Sequence, residues 1–260
     1  MDFFVSSVSN IEWNEGAFDS LVLPADQKDL ILSFATSQAS NSEDFDDVIQ
    51  GKGKGIIMLL SGPPGVGKTL TAESVSETMK APLYMMNAAD LGTEPDQVER
   101  KLSQTLEMVA KWNAVLLLDE CDVYLQARTE DLERNKIVCI FLRVLEYYEG
   151  ILFMTTNRVD NIDPAFESRI HVSMEYKDLS VTARRAVWAN FLKGSKRPHE
   201  IKDSDLDKLA EHVLNGRQIK NVLKAAQLLA TRKGSSLKTE HVTTVLSIQR
   251  TSQRLRTAPS

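Results

Sequence analysis

Cysteine is scarce in this chain, with Cys121 and Cys139 the only two among 260 residues. That excludes a disulfide framework and a cysteine-built metal site, and both residues read as small hydrophobes at a strand end and in a helix. Long apolar runs are also missing, because none approaches the roughly 20 residues that cross a bilayer. Met1 to Asn10 lacks the basic and then apolar stretches of a secretory leader. The expectation is an intracellular, soluble protein. A surplus of positive charge is absent too, since 31 Lys and Arg face 36 Asp and Glu for a net charge of -5. Neutralising a phosphate backbone favours a basic surface, and no basic strip interleaved with aromatics occurs, so nucleic acid is not an expected partner. No guanine-reading Asn-Lys-x-Asp run is present either.

What the chain does contain is Gly62, Pro63, Pro64, Gly65, Val66, Gly67, Lys68 and Thr69, followed by Leu70, at the end of the apolar stretch Ile56 to Leu60. Two glycines four residues apart, then Lys and Thr, form the P-loop pattern. Glycines let backbone N–H groups converge on phosphate oxygens, Lys68 can reach the β and γ phosphates, and the Thr69 hydroxyl can ligate Mg²⁺. The helix that Thr69 opens would turn its positive dipole end toward the anion. The ligand implied is a nucleoside triphosphate.

The hydrophobic share of 42% and charged share of 26% suit one large globular domain or two smaller ones. Strand and helix alternate as far as about residue 175, which predicts an α/β parallel sheet sandwiched by helices. The candidate strands are 56–60, 83–86, 114–118, 151–155 and 170–174. Helices are expected over about 94–112 and 132–148. After Tyr176 only helical patterns remain, over 181–192, 204–214, 217–231 and 239–248, which predicts a small all-helical lid domain. Ile219, Val222, Leu223, Ala226 and Leu229 share one helical face. The expected division is an N-terminal segment 1–45 packing on the core, the α/β core 46–176, the lid 177–250 and a basic, mobile tail 251–260. Ser37 to Asp47 reads as a polar, acidic loop.

A second constellation is Val115 to Leu118 ending in Asp119 and Glu120. Carboxylates at a strand's C-terminal end in an open α/β sheet lie where ligands bind. Beside a P-loop, Asp119 suits Mg²⁺ and Glu120 suits the water that attacks the γ phosphate. Without the P-loop the same pair would read as a solvated strand cap.

The run from Thr155 to Arg169, including Thr156, Asn157, Arg158, Asp163, Pro164 and Ala165, completes a resemblance. From about residue 45 to about 230 the chain resembles the AAA family of ring-forming P-loop ATPases. Within that family it most resembles fungal proteins in which this core is part of a longer polypeptide. Asp119 and Glu120 match the Walker B motif, Thr156 to Arg158 the sensor 1 segment, and Asn215 to Ile219 a sensor 2 segment. The resemblance implies ATP with Mg²⁺ as ligands, ATP hydrolysis, a ring of like subunits, a hexamer in many members, and a protein client to be remodelled. It further implies that Asn157 orients the attacking water, that Arg169 is an arginine finger reaching a neighbour's site, and that Arg217 contacts the γ phosphate. On the residues alone Arg169 is a surface arginine in an ion pair, and Arg217 a solvated residue of a first helical turn. Asn87 is a further candidate, to restrain Glu120 until a client arrives.

Two departures stand out. Protein-unfolding members carry a pore aromatic after the second strand, whereas Ala88 to Pro95 contains none, and the finger region has a single arginine after Phe166, Glu167 and Ser168. Trp112, Trp188, Tyr147, Tyr148, Met85 and Met86 read as packing residues. The segment from Trp13 to Gln38 is expected to pack on the core and to reach the adenine.

Overall fold

A computed structural model describes residues 10–39, 55–128, 130–158, 162–195 and 197–257. Of the polar, acidic loop expected over 37–47, residues 37–39 are instead the last residues of a helix, and 40–47 lie outside the described residues, as do the chain start and the last three residues. The chain divides into two units, residues 1–62 with 68–175, and residues 63–67 with 176–260.

The first unit is built on five parallel strands, β1 Ile56–Ser61, β2 Leu83–Asn87, β3 Val115–Asp119, β4 Ile151–Thr156 and β5 Val172–Glu175. Their spatial order is β2-β3-β4-β1-β5. β1 and β4 are buried at every position, and β3 at all but its last, because helices cover both faces and leave no polar side to alternate with. The helices are α1 Ala25–Ala39, α2 Lys68–Met79, α3 Pro95–Lys111, the single turn α4 Asp122–Leu125 and α5 Leu132–Leu145. The largest cluster of buried apolar residues joins the sheet to α3 and α5 through Leu102, Leu106, Val109, Leu116, Phe141 and Leu152. Tyr124 stacks on Phe141 with ring centroids 4.9 Å apart, so the turn after β3 is pinned to α5.

Strand order does the work of assembling a site. β1 lies between β4 and β5 while its sequence successor β2 lies at the far edge, so the order reverses at the C-terminal end of β1, where ligands of open α/β sheets bind. Register then fixes the neighbours. Ser61 pairs with Thr156, Leu118 with Met154 and Asn87 with Asp119. The ends of β1, β4, β3 and β2 therefore present the P-loop, Asn157, Asp119 with Glu120, and Asn87 as successive neighbours along one rim.

The second unit contains α6 Val181–Lys193, α7 Asp203–Ala210, α8 Gly216–Arg232 and α9 Thr239–Thr257. Trp188, Leu209, Ile219, Val222, Ala226 and Val242 form its core. Arg184, 7% exposed, donates from Nε to Ala210 O at 2.7 Å and from Nη1 to Leu179 O at 2.6 Å. Its charge thus meets the carbonyl end of α7, where the helix dipole favours a cation.

Several expectations need correction. β5 begins at Val172 rather than 170, because Arg169 and Ile170 donate their N–H groups to Phe166 O and complete a turn first. α5 ends at Leu145, so Tyr147 is exposed while Tyr148 is buried. Trp112 and Met85 are exposed, Trp112 as the residue that closes α3 and Met85 on the edge strand β2. Cys139 is exposed on α5, whereas Cys121 is fully buried, which pushes its thiol pKa well up and keeps it protonated. α7 ends four residues before 214, and Asn215 caps the next helix instead. α9 continues to Thr257, so residues 251–257, expected as a mobile tail, are helical. Their Gln, Arg and Leu favour helix, and the first breaker is Pro259.

Candidate functional site

At the rim of β1, the chain turns through Gly62, Gly65 and Gly67, all with positive φ (136°, 79° and 114°), conformations that a side chain resists. In the second unit, Asn215 Nδ2 donates to Pro64 O at 3.2 Å and Gly216 N donates to Gly65 O at 2.8 Å. A Cβ on Gly216 would lie 3.1 Å from Gly65 O, so a glycine there permits the close approach. Arg217 follows directly and is exposed in the first turn of α8. Leu70 is 46% exposed on the first turn of α2.

Lys68 is 7% exposed, and its Nζ donates to Gly62 O at 2.7 Å and to Asn157 Oδ1 at 3.0 Å. Its ammonium thus links the start of the P-loop to the tip of β4. Thr69 Oγ1 lies 3.4 Å from Asp119 Oδ2. A hydroxyl beside a carboxylate is the hard-oxygen set that Mg²⁺ takes with phosphate oxygens and water, so the residues fit that ion. Among the described residues no group of three or more His, Cys, Asp and Glu side chains gathers as a metal cage.

Glu120 adopts φ +59°, a left-handed conformation that costs about 1–2 kcal/mol for a residue with a side chain. Its N–H donates to Thr155 Oγ1 at 3.0 Å, and the same hydroxyl donates to Asp119 Oδ1. The bend turns the carboxylate outward, where Asn87 Nδ2 donates to Glu120 Oε2 at 3.1 Å. Asn87 Oδ1 meanwhile accepts from Ala89 N at 2.9 Å, which fixes the amide's orientation.

Sequence reasoning missed Asp122 and Thr155. Asp122 Oδ1 accepts from Thr156 Oγ1, from Asn157 N at 2.9 Å and from Arg158 N at 3.2 Å, so one carboxylate oxygen organises the whole tip of β4. Its position three residues after Asp119 was the available signal. Asp163, 2% exposed, was read only as part of a motif. It accepts from Ala165 N and from Arg128 Nε, both at 2.9 Å. Burial works to raise its carboxyl pKa, but these donors outweigh it and hold the group below the usual range.

Arg169 does not join the group. Its Nε donates to Leu142 O at 2.9 Å, Nη1 to Ala165 O at 3.0 Å, and Nη2 meets Glu146 Oε2 at 3.2 Å. The guanidinium thereby caps the last turn of α5 in its own chain.

A P-loop at a sheet's switch point, with acids at the end of β3 and an Asn at the end of β4, defines the class of P-loop nucleoside-triphosphate-binding α/β proteins. Comparison with known proteins narrows the class. Residues 58–177 match the family described as ATPase family associated with various cellular activities (AAA), so this stretch of the chain is an AAA-family domain. It is 29% identical over 195 residues to the ATP-dependent zinc metalloprotease FtsH 3 of Sphaerobacter thermophilus, covering 68% of this chain and 38% of the relative. Against Fidgetin-like protein 1 of Caenorhabditis briggsae the identity is 31% over 166 residues, 58% of this chain and 27% of the relative. The ATPase family gene 2 protein of Schizosaccharomyces pombe is 28% identical over 192 residues, 69% of this chain and 24% of the relative. Bacterial, nematode and fungal relatives thus match about equally, and the fungal likeness is not singled out. The chain spans from about a quarter to two-fifths of the length of these relatives. No helix among the described residues is long and apolar enough to cross a membrane.

Proposed function

We propose that this chain binds ATP with Mg²⁺, hydrolyses it to ADP and phosphate, and uses the cycle to remodel a protein client. The observation that carries the reading is the grouping at one rim of Lys68, Thr69, Asp119, Glu120 and Asn157, ordered by strand register. The backbone N–H groups of Gly65, Val66 and Gly67 would cradle the phosphates, with Lys68 on the β and γ oxygens. Thr69 and Asp119 would hold Mg²⁺, which neutralises charge developing between the transferred and leaving phosphates. Glu120 would accept the proton of the attacking water, and Asn157 would orient that water. Arg217 would add positive charge at the γ phosphate, consistent with Gly216 N donating to Gly65 O. A subunit ring remains part of the reading, with Arg169 as the trans finger only after its bonds to Leu142 O and Glu146 are released.

A second reading has its own observation. The Asn87 to Glu120 hydrogen bond occupies one oxygen of the proposed base, which favours a nucleotide-dependent switch that turns over slowly until a client frees Glu120. One experiment separates the two: titrate ATP and ADP by calorimetry with Mg²⁺, then follow single-turnover hydrolysis. Hydrolysis that is measurable and about 10² to 10⁴-fold slower in Glu120→Gln supports the enzyme. Tight binding without turnover supports the switch. No binding, or binding unchanged in Lys68→Ala, rejects both.

A further inference from the structure

β4 is buried along its whole length, yet only Ile151, Leu152, Phe153 and Met154 are apolar. Thr155 and Thr156 complete it, each 1% exposed. A buried hydroxyl costs stability unless it is hydrogen-bonded, and valine would fill the same branched shape in a strand without that demand. Both hydroxyls are engaged by the end of the neighbouring strand and the turn after it. Thr156 Oγ1 donates to Asp122 Oδ1, within the group that orders the tip of β4 itself. Thr155 reaches the two acids instead.

Leu118 pairs with Met154, so Thr155 stands level with the point where β3 ends. Three bonds tie it to three successive residues there. Its Oγ1 donates to Asp119 Oδ1, the same Oγ1 accepts from Glu120 N at 3.0 Å, and its carbonyl accepts from Cys121 N at 2.8 Å. The directions are forced. An amide N–H can only donate, so the hydroxyl accepts from Glu120 and its single proton is left for Asp119. One Asp119 oxygen is thereby fixed, and Thr69 Oγ1 lies 3.4 Å from the other. Glu120 needs a comparable restraint, because its φ of +59° persists only where neighbours enforce it.

We propose that Thr155 is a positioning residue for hydrolysis, whose one hydroxyl orients Asp119 as a ligand for Mg²⁺ and holds Glu120 in the bend that presents its carboxylate to water. The proposal rests on the ATPase reading and adds to it the group that sets both acids at once. Without the hydroxyl, Asp119 Oδ1 loses its donor and Glu120 N its acceptor. The carboxylate of Asp119 is then free to turn, and the bend at Glu120 is free to relax toward an ordinary backbone conformation. Phosphate binding by Gly65, Val66, Gly67 and Lys68 does not need that hydroxyl. Its loss should therefore separate nucleotide binding from metal binding and from hydrolysis.

The test compares, in the full chain, Thr155→Val, which keeps the branched shape and removes the hydroxyl, with Thr155→Ser, which keeps the hydroxyl and loses the methyl. Each variant is checked by its melting curve. Calorimetry then gives the affinity for ATP in EDTA and the affinity of the ADP complex for Mg²⁺, and single-turnover hydrolysis gives the rate. In Thr155→Val the ATP affinity in EDTA should be unchanged, Mg²⁺ should bind about tenfold more weakly, and hydrolysis should slow about 10²-fold. Thr155→Ser should recover most of both losses. A threonine with only a packing role would lower the melting temperature and leave both readings in place. Mg²⁺ affinity and hydrolysis in Thr155→Val equal to the parent's overturn the proposal while leaving the ATPase reading standing. Thr155→Ser as impaired as Thr155→Val also overturns it, because shape rather than the hydroxyl would then matter. Should Thr155→Val fail to fold, Thr155→Ala against Thr155→Ser asks the same question with the same expected outcomes. A parent that binds ATP without hydrolysing it, or binds none, overturns the ATPase reading and this proposal with it.

Discussion

Asp122 Oδ1 accepts the backbone N–H of Asn157 at 2.9 Å, and so the turn after β3 holds the tip of β4 in place. The same oxygen takes Arg158 N and the Thr156 hydroxyl, which leaves the Asn157 side chain free to meet Lys68. Two strand ends that carry different proposed roles, base and water-orienting amide, are thereby fixed to one another.

Removing that acceptor should misplace Asn157 without touching nucleotide. Asp122→Ala is expected to lower kcat roughly tenfold or more, with the KM for ATP little changed, and to cost about 1–3 kcal/mol of stability. Asp122→Asn keeps an acceptor oxygen and should retain more activity. Steady-state kinetics with denaturant unfolding of both variants checks this, and an equal rise in KM for both would contradict it.

Asn87 is expected to act as a brake. Asn87→Ala frees Glu120 Oε2, so basal turnover should rise several-fold, by the roughly 1 kcal/mol that such a bond contributes. A fall in turnover would mean that Asn87 supports catalysis instead.

For Arg169 the structure separates two roles by stability. Its bonds to Leu142 O and Ala165 O and its pairing with Glu146 predict that Arg169→Ala destabilises the isolated chain by about 2 kcal/mol. The melting temperature should therefore fall at concentrations too low for assembly. A finger with no part in its own chain would leave that temperature unchanged.

His171 gives a pH dependence with a definite sign. Its Nδ1 accepts from Ile57 N at 3.0 Å, joining β1 to the start of β5, and an accepting nitrogen must be unprotonated. Burial lowers its pKa from the ordinary value near 6.5. The unfolded chain therefore binds the proton more readily. The contribution to stability is present above about pH 6.5 and is lost as pH falls through that unfolded value toward the lowered folded one. Urea midpoints at pH 7.5 and 5.5 should differ more for the parent than for His171→Gln.

How far the sequence could be read depended on whether a feature is local. The runs Ile56 to Leu60 and Val115 to Leu118 announce buried parallel strands because nothing polar interrupts them, and each ends in chemistry that follows directly in the chain. The fold class follows from that alternation. Strand order does not, and it is strand order that puts Asn87 beside Asp119 and Asn157 beside the P-loop. Asp122 and Thr155 act through hydrogen bonds to neighbouring strands, so the place of Asp122 three residues after Asp119 hints at a role without showing its partners. Arg169 matched a motif, yet its contacts come from the carbonyl end of α5, some 27 residues earlier.

The most direct test of the account is phosphate release from ATP per chain, measured across a protein concentration series for the parent and for Glu120→Gln. The account requires turnover that rises with concentration, as neighbours complete one another's sites, and that is lost in the variant. Turnover per chain independent of concentration would contradict completion of sites by neighbours, and equal turnover in Glu120→Gln would contradict the assignment of the base itself.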